Sequence, residues 1–83
     1  MDQNQSPLKK LLLQCEIFVQ TEEYDKAQKC LEELATIDIS KESKEDIEES
    51  IKILDYIIGV ASEKRLNLAQ AIANFNKFKN YLY

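Results

Sequence analysis

The chain has 83 residues, enough for one small domain, and contains a single Gly, a single Pro and no Trp. Leu, Ile, Ala, Lys, Glu and Gln dominate, which favours helices and argues against a turn-rich β fold. The net charge is −4, and all fifteen acidic residues lie at or before Glu63, so that the segment after it is basic. An acidic body argues against nucleic acid as the main partner.

The first helix is predicted over residues 7–20. Ser6 is a good N-cap, and the Pro that follows suits the first helical position because its missing N–H would have no partner there. The polar stretch 1–6 in front of the helix is predicted to be a disordered tail. Leu13 and Ile17 widen the apolar face, so we expect this helix to be buried on more than one side.

The second helix is predicted over residues 22–36, with Thr21 as its N-cap and two Glu residues in its first turn. Only a short turn separates it from the first helix, so the two must be antiparallel neighbours. Cys15 and Cys30 fall on these two helices, and we interpret them as buried thiols in a reducing cytoplasm. A disulfide would require the helices to have suitable geometry.

A third helical stretch is predicted over residues 43–82, with apolar residues at alternating steps of four and three. If continuous, it would be about 60 Å long, against about 20–25 Å for each of the first two helices. A break near residues 65–67 would instead give a fourth helix, and both alternatives are open. We therefore predict one all-α domain over residues 1–83, a short antiparallel hairpin and a long, possibly broken C-terminal helix forming a three- to four-helix bundle.

The apolar series is longer than two short helices can cover. Its uncovered part must dimerise, fold back on the hairpin or hold a partner, which favours an interaction protein over an enzyme. The alternative to a docking surface is that these apolar residues pack against the first helix or against a second copy of the chain. The residues predicted to contact a protein partner are Ile58, Ala61, Leu68, Ile72, Phe75 and Phe78.

No arrangement of residues indicates catalysis. The chain has no His, which removes Ser–His and Cys–His nucleophile pairs and the usual zinc spacing. It has no glycine-rich phosphate loop, and the acidic residues of segment 45–49 lack the spacing of a calcium loop. We expect no enzyme activity, no metal and no cofactor. We also predict no signal peptide and no membrane insertion, and hence a cytoplasmic protein.

Several short motifs are spread over nearly the whole chain. They are Leu11-Leu12 with Phe18, Glu23-Tyr24-Asp25-Lys26-Ala27, Leu31-Glu32-Glu33-Leu34, Ile53-Leu54-Asp55, Arg65 and Lys77-Phe78-Lys79-Asn80-Tyr81. Together they resemble the FliT-type flagellar export chaperones of bacteria, which are small, cytoplasmic and all-helical. The resemblance implies a filament-cap subunit as client and contact with an export-apparatus component. It also implies that the segment 68–82 can mask the binding surface.

A second group of residues resembles tetratricopeptide repeats. The segment Glu23–Ala27 with Leu31 looks like the start of the second helix of a repeat, while Ile58-Gly59, Ala71 and Phe75 look like positions of another. The leading hypothesis is a flagellar or type III secretion export chaperone that holds a helical client on an apolar helix face. The alternatives are a tetratricopeptide-like interaction module, including secretion co-chaperones, and a structural homodimer with a coiled-coil-like seam.

Overall fold

The computed structural model describes residues 6–83, which form four α-helices and one short 3₁₀ turn. The helices are α1 (Pro7–Gln20), α2 (Tyr24–Leu34), α3 (Lys44–Glu63) and α4 (Ala69–Leu82), with the 3₁₀ turn at Ile39–Lys41. These residues contain no strand, which confirms the predicted all-α helical bundle.

The long C-terminal stretch is broken, with α3 ending at Glu63 and α4 beginning at Ala69. Asn67 helps to start α4, because its Oδ1 accepts the backbone N–H of Ala69 at 3.0 Å. The break lets α4 fold back along α3, so the apolar series is divided between two shorter helices that pack together. Folding back is one of the three outcomes that the length of the series allowed.

The two hairpin turns share one backbone geometry. Glu22 after α1 and Arg65 after α3 have φ values of 63° and 58°, in the left-handed region that non-glycine residues rarely enter. In each turn, the next residue donates its N–H to the carbonyl five positions earlier, at 2.7 and 2.9 Å. This is the Schellman motif, which usually places Gly at the left-handed position. Neither turn has Gly there, so the usual sequence signal for these helix ends is missing.

The left-handed residue also explains where α2 starts. Because Glu22 is left-handed, α2 begins at Tyr24 rather than at residue 22. Thr21 is the C-cap of α1, and its Oγ1 donates to the carbonyl of Ile17 at 3.0 Å.

Ser6 is the N-cap of α1, where its Oγ accepts the N–H of Lys9. The side chain of Ser6 is buried, and the rest of the predicted tail lies outside the described residues.

α1 and α3 are neighbours that run parallel. At their N-terminal ends, the Lys9 ammonium donates to a carboxylate oxygen of Glu49 at 2.6 Å. At their C-terminal ends, Val19 and Ala61 line the same cavity. Ser6, just before α1, donates a second hydrogen bond to the carboxylate of Glu42, just before α3. These contacts are spread along both helices, so they fix the relative direction of α1 and α3.

α2 and α4 are also neighbours that run parallel. Asn74 donates from Nδ2 to the carbonyl of Leu31 at 3.0 Å, and about one turn later the Lys77 ammonium donates to the carbonyl of Ala35 at 3.1 Å. The carbonyl of Ala35 directly follows the C-terminal end of α2, where helix carbonyls lack internal partners and favour a cation. The carbonyl of Leu31 also accepts the backbone N–H of Ala35 at 3.3 Å. The molecule therefore consists of two antiparallel hairpins stacked side by side. The first helices of the two hairpins are adjacent, and so are their second helices.

Large aliphatic residues and one Phe fill the core. The buried apolar residues are Leu8, Leu12, Cys15, Val19, Ala27, Cys30, Leu31, Leu34, Ile39, Ile47, Leu54, Ile57, Ala61, Ala71 and Phe78. α1 is buried on one side alone, since Leu13 and Ile17 are exposed. The expectation that α1 is buried on more than one side is wrong, because α2 and α3 pack on its opposite side.

Phe78 is fully enclosed, so Phe78→Ala is expected to lower the free energy of unfolding by about 3–5 kcal/mol. Urea unfolding followed by circular dichroism measures the change. Tyr81→Ala is the control, because Tyr81 lies three positions further on the same helix and is half exposed. The control should shift the free energy of unfolding by less than about 1 kcal/mol. Equal effects of the two substitutions would contradict the core position of Phe78.

Candidate functional site

Two of the six residues predicted to bind a partner lie in the core. Phe78 is 0 % exposed and Ala61 is 7 % exposed. Both are covered because α4 folds back onto α2 and α3, an arrangement that the spacing of apolar residues along the chain does not specify. Phe78 cannot contact a partner while the bundle is closed, and Ala61 can be reached only through a cavity that it lines.

The other four predicted contact residues remain at or near the surface. Ile72 is 42 % exposed, and Phe75, three positions later on the same side of α4, is half-buried. The Lys79 ammonium lies 5.3 Å from the centroid of the Phe75 ring. Ile58, on the helix that packs against α4, and Leu68, the residue before α4, are half-buried. We call Ile72 and Phe75 the α4 edge.

α4 is held in place by polar contacts as well as by Phe78. Asn74 is 1 % exposed, and both the nitrogen and the oxygen of its side-chain amide are hydrogen-bonded. Its Nδ2 bonds to the carbonyl of Leu31, and its Oδ1 accepts from Nε2 of Gln70 at 3.3 Å. The masking role that the FliT-type resemblance implies for α4 would require these bonds to break before a partner could reach the residues beneath it.

A cavity of about 420 Å³ lies between α2, the C-terminal ends of α1 and α3, and the start of α4. Ala27, Ala61 and Ala71, from three helices, leave space there that the large core residues fill elsewhere. The volume is within the range of ordinary ligand sites. The remaining lining residues are Val19, Tyr24, Asp25, Gln28, Leu31, Glu32, Ile57, Leu66 and Asn67. The sequence analysis missed this site, although alanines at buried positions of three helices are a signal for such a gap.

Tyr24 lines the cavity, but its hydroxyl oxygen is out of reach of solvent. That oxygen has no hydrogen-bond partner among residues 6–83. A buried hydroxyl without a partner costs about 1–3 kcal/mol. The unpaired hydroxyl of Tyr24 therefore lowers the stability of the fold.

Acidic residues lie along one side of the cavity. Asp25, Gln28 and Glu32 are spaced i, i+3 and i+7 on α2, so they share one side of that helix. Asp25 and Glu32 are exposed, and within the described part of the chain neither makes an ion pair with Lys or Arg. Glu32 accepts a hydrogen bond from Gln28 at 3.4 Å. A second hollow, lined by Glu22–Lys26, adjoins the cavity at Tyr24 and Asp25.

The two thiols are buried and free, as the sequence analysis expected. Cys15 Sγ donates to the carbonyl of Ala27 at 3.7 Å. Burial, with a smaller contribution from Cys30, raises the pKa of Cys15 to about 12, and burial also raises the pKa of Cys30. Thiols with raised pKa values are poor nucleophiles near neutral pH.

The described residues show neither a metal-binding cluster nor a membrane span. Within residues 6–83, no three His, Cys, Asp or Glu side chains are grouped closely enough to hold a metal ion. In the same part of the chain, no helix is both long and apolar enough to cross a membrane.

Tyr24→Phe removes a buried hydroxyl that lacks a partner, so it is expected to raise the free energy of unfolding by about 1 kcal/mol. Urea unfolding measures the change. Tyr56→Phe is the matched control, because Tyr56 is exposed and its substitution should change the free energy of unfolding by less than about 0.5 kcal/mol. A loss of stability in Tyr24→Phe would show that the hydroxyl makes a stabilising bond.

The raised pKa of Cys15 predicts a pH-dependent stability. The unfolded thiol ionises near its ordinary pKa of 9.0 and the folded thiol near 12, so the folded state retains a proton that the unfolded state loses. The free energy of unfolding should therefore fall as the pH rises from about 9 to about 12. Urea unfolding near pH 8 and near pH 11 measures this fall, which should be smaller in Cys15→Ala. An equal fall in both proteins would contradict the prediction.

Searches of protein-family models, of curated proteins and of solved structures each found no match to this chain.

Proposed function

We propose that this chain is a protein-binding chaperone or adaptor of the bacterial cytoplasm, whose α4 edge holds an apolar helical segment of a client. The observation that carries the proposal is the exposure of Ile72, 42 % of which faces solvent beside the half-buried Phe75. Apolar residues three or four positions apart are the anchors by which one helix lies against another. Lys79 borders this edge and adds a positive charge to it.

The type of client is suggested by the resemblance to FliT-type chaperones. That resemblance favours a flagellar or type III secretion subunit as client and an export-apparatus component as a second partner. Among the six residues first predicted to bind the client, the proposal now rests on Ile72 and Phe75, with Ile58 and Leu68 as half-buried neighbours. Ala61 and Phe78 serve the core instead.

A tetratricopeptide-like interaction module is the second candidate, and the stacking of the hairpins favours it. Two antiparallel hairpins lie side by side with like helices parallel, which is how helical repeats stack. The second helices also match, since Ala27 and Leu34 of α2 correspond to Ala71 and Phe78 of α4 in burial and spacing. Such a module would bind a protein partner either within an export system, as secretion co-chaperones do, or outside one.

Ile72→Asp tests the proposal, because a charge at the α4 edge should weaken capture of an apolar client by about tenfold or more. The tagged full-length chain would be used to capture proteins from its source organism, and the bound proteins identified by mass spectrometry. Ala73→Asp is the control, since it places the same charge on an exposed neighbouring position that faces another direction. Circular dichroism should show equal helix content in both variants.

Several outcomes would decide between the candidates. Loss of an export subunit in Ile72→Asp, but not in Ala73→Asp, supports the chaperone. Loss of partners unrelated to export supports the interaction module. Undiminished capture by Ile72→Asp would refute the α4 edge as the binding surface. Light scattering separates the homodimer, because a dimer would have twice the protomer mass of 9.7 kDa and Ile72→Asp would dissociate it if the edge were its seam.

A further inference from the structure

The cavity beside α2 and the hollow at the start of α2 share Tyr24 and Asp25, and together we call them the α2 groove. The segment 22–32 lines one side of the groove, and Ala61 and Ala71 lie across the cavity. The cavity and the hollow have volumes of about 420 and 350 Å³. A concave surface that follows most of a helix and contains an apolar cavity is better suited to a segment of polypeptide than to a compact small molecule.

The charge along the α2 groove is negative. The cavity is lined by Asp25 and Glu32 and by no Lys or Arg. The hollow includes Lys26, but its ammonium bonds to Glu23 at 2.8 Å and lies 5.8 Å from the centroid of the Phe18 ring. Lys26 is thus already engaged within the chain, while the two cavity carboxylates have no cationic partner in the described residues. Charge complementarity therefore favours a basic occupant.

The spacing of these groups defines the shape of the occupant. Asp25 and Glu32 are seven residues apart on one helix, which places their backbones about 10 Å apart. Between them the lining is small and apolar at Ala27 and Ala71. Two cations about 10 Å apart with an apolar side chain between them would match this pattern.

We propose that the α2 groove binds a basic amphipathic helix of another protein, with one apolar side chain in the cavity and two Lys or Arg residues, seven positions apart, paired with Asp25 and Glu32. This site is separate from the α4 edge and does not depend on the chaperone proposal.

A second copy of this chain is a less suitable occupant. Its basic residues on α4 are already used, since Lys77 bonds to the carbonyl of Ala35 and Lys79 lies over the Phe75 ring. Lys64 and Arg65 lie in the turn before α4 rather than on a helix face. The basic residues that follow Glu63 therefore do not present two free cations at a spacing of seven along one helix.

The test uses a synthetic fluorescent helical peptide about four turns long. It carries Lys at two positions seven residues apart, Leu at the two positions midway between them, and Ala and Gln elsewhere. A control peptide has Glu in place of both Lys residues. Fluorescence anisotropy with the full-length chain should show that the Lys peptide binds at least about tenfold more tightly than the Glu peptide. Equal binding of the two peptides would overturn the proposal, as would no binding.

Glu32→Lys and Glu33→Lys locate the binding site. Both positions are exposed and adjacent on α2, and the substitutions change the charge equally, but Glu32 alone lines the cavity. Glu32→Lys should weaken binding of the Lys peptide by about tenfold, and Glu33→Lys by less than about threefold. Equal losses would show non-specific attraction to an acidic protein and would overturn the proposal. Concentration-dependent self-association, abolished by Glu32→Lys alone, would identify a second copy as the occupant and would also overturn it.

One further variant separates this site from the α4 edge. Ile72→Asp should leave peptide binding unchanged, because Ile72 does not line the groove. Loss of peptide binding in Ile72→Asp would place the peptide on the α4 edge and overturn this inference while leaving the proposed function intact.

Discussion

Asn74 is almost completely buried, and its Nδ2 donates to the carbonyl of Leu31 at 3.0 Å. An amide removed from water is costly unless its polar atoms are paired, so this side chain favours the register in which α4 meets that carbonyl. Gln70 pairs the other end of the amide, and Lys77 bonds to the carbonyl of Ala35, the residue after α2. With α4 held in this register, Phe78 enters the core one turn beyond Asn74. The position of α4 in the closed bundle depends on this contact, while the packing of α1 on α3 supplies the other contacts between the two hairpins.

The size of the buried residues decides where the bundle is filled and where it has a cavity. Leu8, Leu12, Leu34, Leu54 and Phe78 fill the core. Where α2 faces the ends of α1 and α3, alanines occupy the corresponding positions and leave the cavity. The acidic residues of the chain then determine what the cavity is suited to bind. The α2 groove is lined by carboxylates, whereas the α4 edge is bordered by Lys79. The two candidate surfaces thus differ in charge and would select different partners.

The helix boundaries that were predicted correctly are those whose sequence signals are local. Ser6 caps α1 as its sequence context indicates, because the side chain of an N-cap residue bonds to backbone groups two or three residues away. Ser43 caps α3 in the same way. The end of α1 lies at Gln20 as predicted, but the start of α2 and the end of α3 were harder to place, because Glu22 and Arg65 adopt a backbone conformation that their residue types do not signal. The position of α2 was displaced by two residues at each end for this reason and because its last turn unwinds after Leu34.

The amino-acid sequence by itself determined that the chain is helical, where α1 begins, and that it carries more apolar surface than a single hairpin needs. These properties follow from residue type and from spacing within one helix, so neighbouring residues are sufficient to specify them. The tertiary structure decided which of those apolar residues become core and which remain exposed, since Phe78 and Ala61 are covered while Ile72 is not. It also created the α2 groove, because the alanines that leave the cavity come from three helices and meet only when the two hairpins stack.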